Sequence, residues 1–309
     1  MIGSTIYLNS SKIEKKRLRK DKFASRLMLS VTVFSGMIVF LMVYGLYLKS
    51  KPILVNIPLG ELIFSTSWHP FKGEFGFFPY IMGTIWVTMV AVVIAVPLSL
   101  LTAIFLSEYA HKRVMSLVNP LIDLLAGIPS IVYGVWALLI IVPLISVHIA
   151  PLFGSFSTGY CVLSAGLVLA VMILPIIIHV SVEVFNTMPH ELREASLSLG
   201  ATKWQTIKHV VIRKSMPGII AAIVLGISRA FGETMAVLMV AGNVAQVPSS
   251  VFDPAYPLPA LIANNYGEML SIPLYDSALM LASLILLIIV LFFNIISRVI
   301  LIKVERSIQ

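Results

Sequence analysis

Residues 80–106 read YIMGTIWVTMVAVVIAVPLSLLTAIFL, without one Asp, Glu, Lys, Arg or His. A hydrocarbon core of about 30 Å is crossed by about 20 helical residues. A segment in lipid must satisfy its own backbone hydrogen bonds, so this run is read as a helix. A barrel strand would alternate apolar and polar positions, and the run does not. Five further stretches are long enough to cross: 27–48, 118–145, 159–182, 216–241 and 276–303. Composition leads the same way. Of the 309 residues 59% are apolar and only 12% charged, with a mean hydropathy of +0.99; a soluble domain carries about 25% charged residues. A water-soluble fold of this length could not hide so much apolar surface. Soluble enzymes, disordered chains and fibrous proteins are excluded. The single cysteine, Cys161, excludes a disulfide framework or a cysteine-based metal cluster. The expected fold class is an all-α membrane protein with six transmembrane helices.

The net charge of +8 is placed by those spans. Lys12, Lys15, Lys16, Arg17, Arg19, Lys20, Lys22 and Arg26 crowd the tail ahead of the first span. If that tail is cytoplasmic, alternate loops add Lys112 and Arg113, then Arg193, Lys203, Lys208, Arg213 and Lys214, then Arg298, Lys303 and Arg306. Eighteen of the 22 basic residues then lie inside, the outer loops hold Lys49, Lys51 and Lys72, and Arg229 lies within a span. This asymmetry places both termini in the cytoplasm and supports the count of six. It also argues for membrane lipid and against nucleic acid as a partner, since the cations flank lipid and form no continuous patch. The first span is expected to be retained: it exceeds the roughly 7–15 residues of a signal core, and no A-x-A-like site follows. The chain divides into a basic tail, 1–26, and a membrane domain, 27–309.

Prolines interrupt the spans at Pro97, Pro120, Pro129, Pro143 and Pro175. Each removes a backbone donor and favours a kink. Ordinary kinked packing accounts for any one of them; several together fit helices that line or gate a pathway. The fifth span carries Ile227-Ser228-Arg229-Ala230-Phe231-Gly232-Glu233-Thr234. An intramembrane Arg costs at least about 2.5–3.5 kcal/mol on insertion scales. Arg229 and Glu233 are four apart, so they share one helix face and can pair. One reading is a buried pair that only fixes packing. The other sets the guanidinium, with its planar fork of donors, on an anion pathway, and Glu233 weakens its grip enough for release. Beside them Gly218, Ala222, Gly226 and Ala230 recur every fourth residue. Such a stripe lets another helix approach closely, from the same chain or a second subunit.

The loop 183–215 is the other strong feature. Pro189 suits the first turn of a short helix holding Glu191, Arg193, Glu194 and Ala195. Gly200 is a natural left-handed stop. Thr202-Lys203-Trp204-Gln205 has the capping-box pattern of a second helix, leading into the fifth span near Pro217. Helix, glycine turn and helix, tethered to lipid at both ends, read as a docking lever for a cytoplasmic partner.

Here a family becomes visible. Glu194-Ala195-Ser196-Leu197-Ser198-Leu199-Gly200 resembles the E-A-A-x-x-x-G loop of the binding-protein-dependent permeases of bacterial ABC importers. The stretches Trp68 to Gly76, Ile104 to Ala110, Leu125 to Gly134 and Gly232 to Asn243 are similar to its phosphate-specific members, and the likeness covers 60–303. It implies a type I ABC importer permease fold in the bacterial cytoplasmic (inner) membrane. It implies that 183–215 is a coupling loop whose Glu194, Ala195, Ser196 and Gly200 meet a cleft of an ATPase. It implies three partners: a PstA-like second permease, a dimer of ATP-binding subunits, and a phosphate-binding protein, periplasmic or lipid-anchored. The residues agree on one point independently. No G-x-x-x-x-G-K-[ST] loop is present to cradle ATP phosphates. The chain is therefore expected to be a transporter subunit and not an enzyme, without cofactor or metal, powered from another subunit.

The expected mechanism is a two-state gate. ATP closes the ATPase dimer, the coupling loop moves with it, and the helices bearing Pro97, Pro129 and Arg229 switch from inward to outward access. The outer loop 242–275, with no Lys or Arg and a short helix expected near Leu258 to Leu270, would receive the binding protein together with the loop 49–79. Two rivals stay open: the same fold serving sulfate or molybdate, and an ion-driven secondary transporter or channel.

Overall fold

A central helix, α6 (Val162–Asn186), organises the molecule, because small residues on its neighbours let them close on it. The computed structural model describes the backbone of residues 2–268 and 272–308, with side chains except at 2–19, 297, 301 and 303–308. The side chains of Lys12, Lys15, Lys16, Arg17 and Arg19 in the tail, and of Lys303 and Arg306, lie outside the described residues. The chain runs from α1 (Ile2–Asn56) through α2 (Leu59–Phe64) to a small hairpin, β1 (Trp68–His69) and β2 (Glu74–Phe75). Next come α3 (Phe78–Tyr109), α4 (Lys112–Gly127), α5 (Ser130–Leu152) and α6. The last third holds α7 (His190–Ser198), α8 (Lys203–Gly232), α9 (Met235–Val240), α10 (Leu258–Asn265) and α11 (Tyr275–Ile308). Six helices are long and apolar enough to cross a membrane: Lys20–Asn56 of α1, then α3, α5, α6 and α8, and Tyr275–Ile300 of α11.

α3 lies parallel to α6. A Cβ added at Gly166 would meet Val90 Cγ1 at 2.4 Å. Farther along, the Ser99 hydroxyl donates to the Leu174 carbonyl at 3.4 Å. α8 lies antiparallel on another face of α6: a Cβ at Gly226 would stand 2.7 Å from Ile177 and one at Gly218 2.5 Å from Val184. The fully buried Ala222 lies between them. The small-residue stripe is thus occupied by α6 of the same chain. α11 closes on α8, where the Ser228 hydroxyl donates to Asn294 Oδ1 at 2.8 Å, and α1 packs on α11.

The boundaries differ from the sequence reading in two informative places. The third span does not run over 118–145. Residues 112–127 form the separate helix α4, Ile128 and Pro129 are extended, and the crossing helix is α5. Proline forces its predecessor out of the helical region, and it can stand just ahead of a new helix. α4 is apolar enough, through Leu117, Leu121 and Leu124, to have read as part of a span. The fifth span does not run over 216–241. It starts at Lys203, so the second helix of the loop and the crossing are one rod, and it stops at Gly232. Residues 233–234 are non-helical, and α9 follows as a separate short helix. Within α5, the π-helical turns Ala137–Ile141 and Ile145–Ile149 each precede a proline, Pro143 and Pro151. A proline cannot donate to the carbonyl four residues back, and widening the turn relieves the clash.

A second core closes the far end of the bundle. Ile53, Leu62, Phe75, Phe77, Tyr80, Leu258, Leu261 and Tyr275 are buried together. The Trp68 ring stands edge-on to Tyr80 at 5.0 Å and to Phe75 at 5.5 Å. The Thr84 hydroxyl donates to the Tyr80 carbonyl at 2.8 Å and accepts the Leu258 amide at 2.9 Å. This fixes α10 to the start of α3. The short helix expected at Leu258 to Leu270 is α10, ending at Asn265; Met269 and Leu270 lie outside the described residues.

Candidate functional site

Two helix interruptions meet inside the bundle. α5 starts at Ser130 after the Gly127-Ile128-Pro129 break, and α9 starts at Met235 after Gly232-Glu233-Thr234. The two short segments pack tightly. A Cβ at Gly134 would lie 2.6 Å from Met239 Sδ and 3.2 Å from Ala236 Cα. The Tyr133 hydroxyl spans the first break, donating to the Leu125 carbonyl at 2.7 Å. The Glu233 carboxylate serves the second: its Oε1 accepts the Ala236 amide at 3.2 Å.

That geometry corrects the expected Arg229–Glu233 pair. The helix ends at Gly232, and Glu233 has an extended backbone, φ −73° and ψ 129°. The two residues therefore do not share one helix face, and no ion pair joins them among the described residues. Glu233 is spent on capping α9, where its negative charge meets the positive end of the peptide dipoles. Arg229 is exposed in the last turn of α8. A small void bounded by Thr84, Thr88 and Glu233 lies on the buried side of the same break.

The second group of residues lies at the opposite end of α8. α7 has no buried residue. Glu194 and Ala195 are exposed, Leu199 is 89% exposed at the tip, and Trp204 is half exposed beside it. Gly200 has φ +84°, and a Cβ there would meet nothing within 4 Å. Its amide donates to the Leu197 carbonyl at 3.0 Å, and the Ala201 amide to that of Ser196 at 3.3 Å. This is the paired closure of a helix end that selects glycine. Thr202 and Gln205 form the reciprocal capping box read from the sequence. Pro189 is the residue ahead of α7, one position before the expected first turn. Ser196 turns inward, its hydroxyl 2.9 Å from that of Thr206, and so ties α7 to the start of α8.

Two contacts near α7 are not legible in the sequence. Arg193 enters a half-buried ion pair with Glu108, at the end of α3, at 2.8 Å. The Lys203 ammonium lies 4.4 Å from the centre of the Tyr109 ring. The sequence places Arg193 in the first helix of the loop and Lys203 at the start of the second, and names no partner for either. Partners 85 residues apart, as Arg193 and Glu108 are, leave no local spacing to read.

The chain resembles several known proteins at this point. Residues 95–309 match the family model described as binding-protein-dependent transport system inner membrane component. The chain is 38% identical over 261 residues to the phosphate transport system permease protein PstC of Xylella fastidiosa, covering 80% of each. It is 35% identical over 299 residues to the probable phosphate transport system permease protein PstC of Methanocaldococcus jannaschii, covering 91% of this chain and 94% of that one. Among solved structures, the inward-facing MetNI methionine ABC transporter superposes with a TM-score of 0.56 at 18% identity, over 72% of this chain and 93% of that one. The bacterial alginate ABC transporter in complex with a pentasaccharide-bound periplasmic protein gives 0.54 at 16%, over 93% and 97%. Such low identities speak to fold alone, and the fold is that of ABC importer permeases. A lipid-spanning bundle, an exposed glycine-stopped helix at one end and a match over two thirds of the sequence converge: the chain belongs to the family of binding-protein-dependent transport system inner membrane components.

Proposed function

We propose that the chain is a permease subunit of an ATP-driven phosphate importer in the cytoplasmic membrane. The observation that carries the reading is the likeness to phosphate permeases over nearly the whole length of both chains, at up to 38% identity. A PstA-like second permease would complete the pathway. A dimer of ATP-binding subunits would hold α7 in its clefts on the cytoplasmic side, where the basic loops lie, and an external phosphate-binding protein would deliver the anion.

The residues take roles accordingly. Exposed Leu199, Ala195 and Glu194 form the surface offered to the ATPase, and Gly200 lets the chain turn away from it. Arg229 is the anion-facing group. An Arg facing hydrocarbon costs at least about 2.5–3.5 kcal/mol, so the face of α8 that bears it meets water or the second permease. A guanidinium there offers phosphate a planar fork of charged donors. Glu233 acts on the pathway through backbone, by fixing where α8 stops and α9 begins.

The test is phosphate accumulation by the complete complex in liposomes. Uptake should need both ATP and the binding protein, and Glu194→Lys should lower it at unchanged assembly. Accumulation driven by an ion gradient without ATP would overturn the reading; accumulation of sulfate or molybdate in place of phosphate would reassign the substrate.

A further inference from the structure

The coupling helix is expected to move with a motor, so what fixes it to the rest of the chain decides where the motion goes. Arg193 is half-buried on the inner face of α7 and makes four hydrogen bonds. Its Nε and one terminal nitrogen donate to Glu108 Oε1 at 3.1 and 2.8 Å. The terminal nitrogens also donate to the carbonyls of Met188 and Phe185 at 2.8 Å each. Those carbonyls belong to the end of α6 and the residues just after it, and Glu108 belongs to the end of α3. One side chain therefore joins the coupling helix to both members of the parallel α3–α6 pair. Its side chain is 16% exposed and that of Glu108 9%, so water screens the pair weakly.

A second observation points to the same place. Of the four π-helical turns among the described residues, two are explained by prolines in α5. The other two, Phe105–Tyr109 and Ile207–Val211, have no proline within or just after them, and they flank α7. Glu108 sits in the first. Thr206, the hydroxyl partner of Ser196, immediately precedes the second. Widened turns without a local cause persist where tertiary contacts hold them. A cavity of about 430 Å³ lined by Glu108, Asn186, His190, Arg193 and Lys203 lies between α7 and the bundle. Side-chain pins, and not continuous apolar packing, thus hold the helix at this point.

We infer that Arg193 and Glu108 are positioning residues for energy coupling: they pin α7 to α3 and α6, so that displacement of the coupling helix is delivered to that pair as a rigid-body movement. The inference rests on α7 being the ATPase-docking helix. Without the pin, α7 follows the motor while α3 stays behind.

The experiment places spin labels at Leu101→Cys, 62% exposed on α3, and Ser198→Cys, on α7, in the full complex; Cys161 is fully buried and stays unlabelled. Wild-type background should give one distance distribution, the same with and without ATP and vanadate. Glu108→Gln and Arg193→Lys should each make the distribution nucleotide-dependent and lower phosphate moved per ATP about tenfold, and the double variant should be no worse than the worse single one. A nucleotide-dependent distance in the wild-type background, or an invariant one in both variants, would overturn the pin. A wild-type complex that accumulates no phosphate would instead overturn the proposed function, and the label distances report on the pin regardless of cargo.

Discussion

Gly200 offers a test in which backbone conformation and side-chain bulk separate. Its φ of +84° lies in the left-handed region, and a Cβ there would meet no atom of this chain within 4 Å. Substitution therefore carries a conformational term and no steric one, as long as the chain is alone. That term is about 1–2 kcal/mol for Ala, smaller for Asn, which tolerates the left-handed region, and larger for β-branched Val. About 1.4 kcal/mol is a tenfold change in the balance between the closed turn and its alternatives. The closure at stake is the pair of bonds from the Gly200 and Ala201 amides to Leu197 and Ser196. Measured as ATP-driven phosphate uptake at equal assembly, activity should fall in the order Gly, Asn, Ala, Val, with Asn near wild type and Ala down by up to about tenfold. Hydrogen exchange at residues 198–203 should rise in the same order. If Asn proved as damaging as Val, the cause would be bulk against a docked partner and the conformational argument would fail. If Val behaved as wild type, the left-handed turn would have no part in coupling.

Arg229→Gln is expected to abolish phosphate uptake with the complex still assembled, and Arg229→Lys to retain part of it, because Lys keeps the charge and loses the fork; loss of assembly would instead assign Arg229 to subunit packing. Glu233→Gln keeps an acceptor for the Ala236 amide and loses only the charge, so it should lower thermal stability less than Glu233→Ala, which should cost about 1 kcal/mol, read from denaturation of the purified complex. Gly166→Ala would drive a Cβ into the stiff Val90 side chain, within 2.7 Å of its Cβ, and should destabilise the bundle by about 1–3 kcal/mol; pairing it with Val90→Gly, which removes both clashing atoms, should restore part of that, whereas Val90→Ala keeps the Cβ and should restore less. In the loop between α9 and α10, hydrogen bonds from the Ser249 hydroxyl and from the amides of Ser249 and Ser250 hold the Asp253 carboxyl below its ordinary 3.8. A lowered folded value means that this stabilisation is complete at neutral pH and is lost only as pH falls through that value. Proteolysis of 244–257 should therefore stay constant down to the ordinary carboxylate range, and Asp253→Asn should raise it at neutral pH.

The parts legible in the sequence are those whose physical cause is local. Six crossings follow from run length and hydropathy, the glycine stop at 200 from a helix-ending residue, and the capping box at Thr202 from two side chains three apart. The errors also share a cause. An apolar count measures compatibility with lipid or a protein interior, and α4 and α9 satisfy it without belonging to a continuous span. The break at Gly232-Glu233-Thr234 was read as one more helical turn because nothing in its hydropathy forbids that. What fixes it is Glu233 turning back to the Ala236 amide and α9 seating against Gly134, a contact about a hundred positions away in sequence. The same reasoning applies to charge. A charge count treats Arg193 and Lys203 alike as topology signals, and it cannot tell a solvated cation from one half-buried against Glu108. Burial without a partner would cost several kcal/mol, so Arg193 and Glu108 each require the other's position. The candidate anion site reverses that case. Arg229 stands exposed with no carboxylate paired to it among the described residues. We propose that this cation, left uncompensated by its own chain in the last turn before the break at Gly232, is the group a passing anion meets, and the uptake and assembly of Arg229→Gln decide between that role and subunit packing.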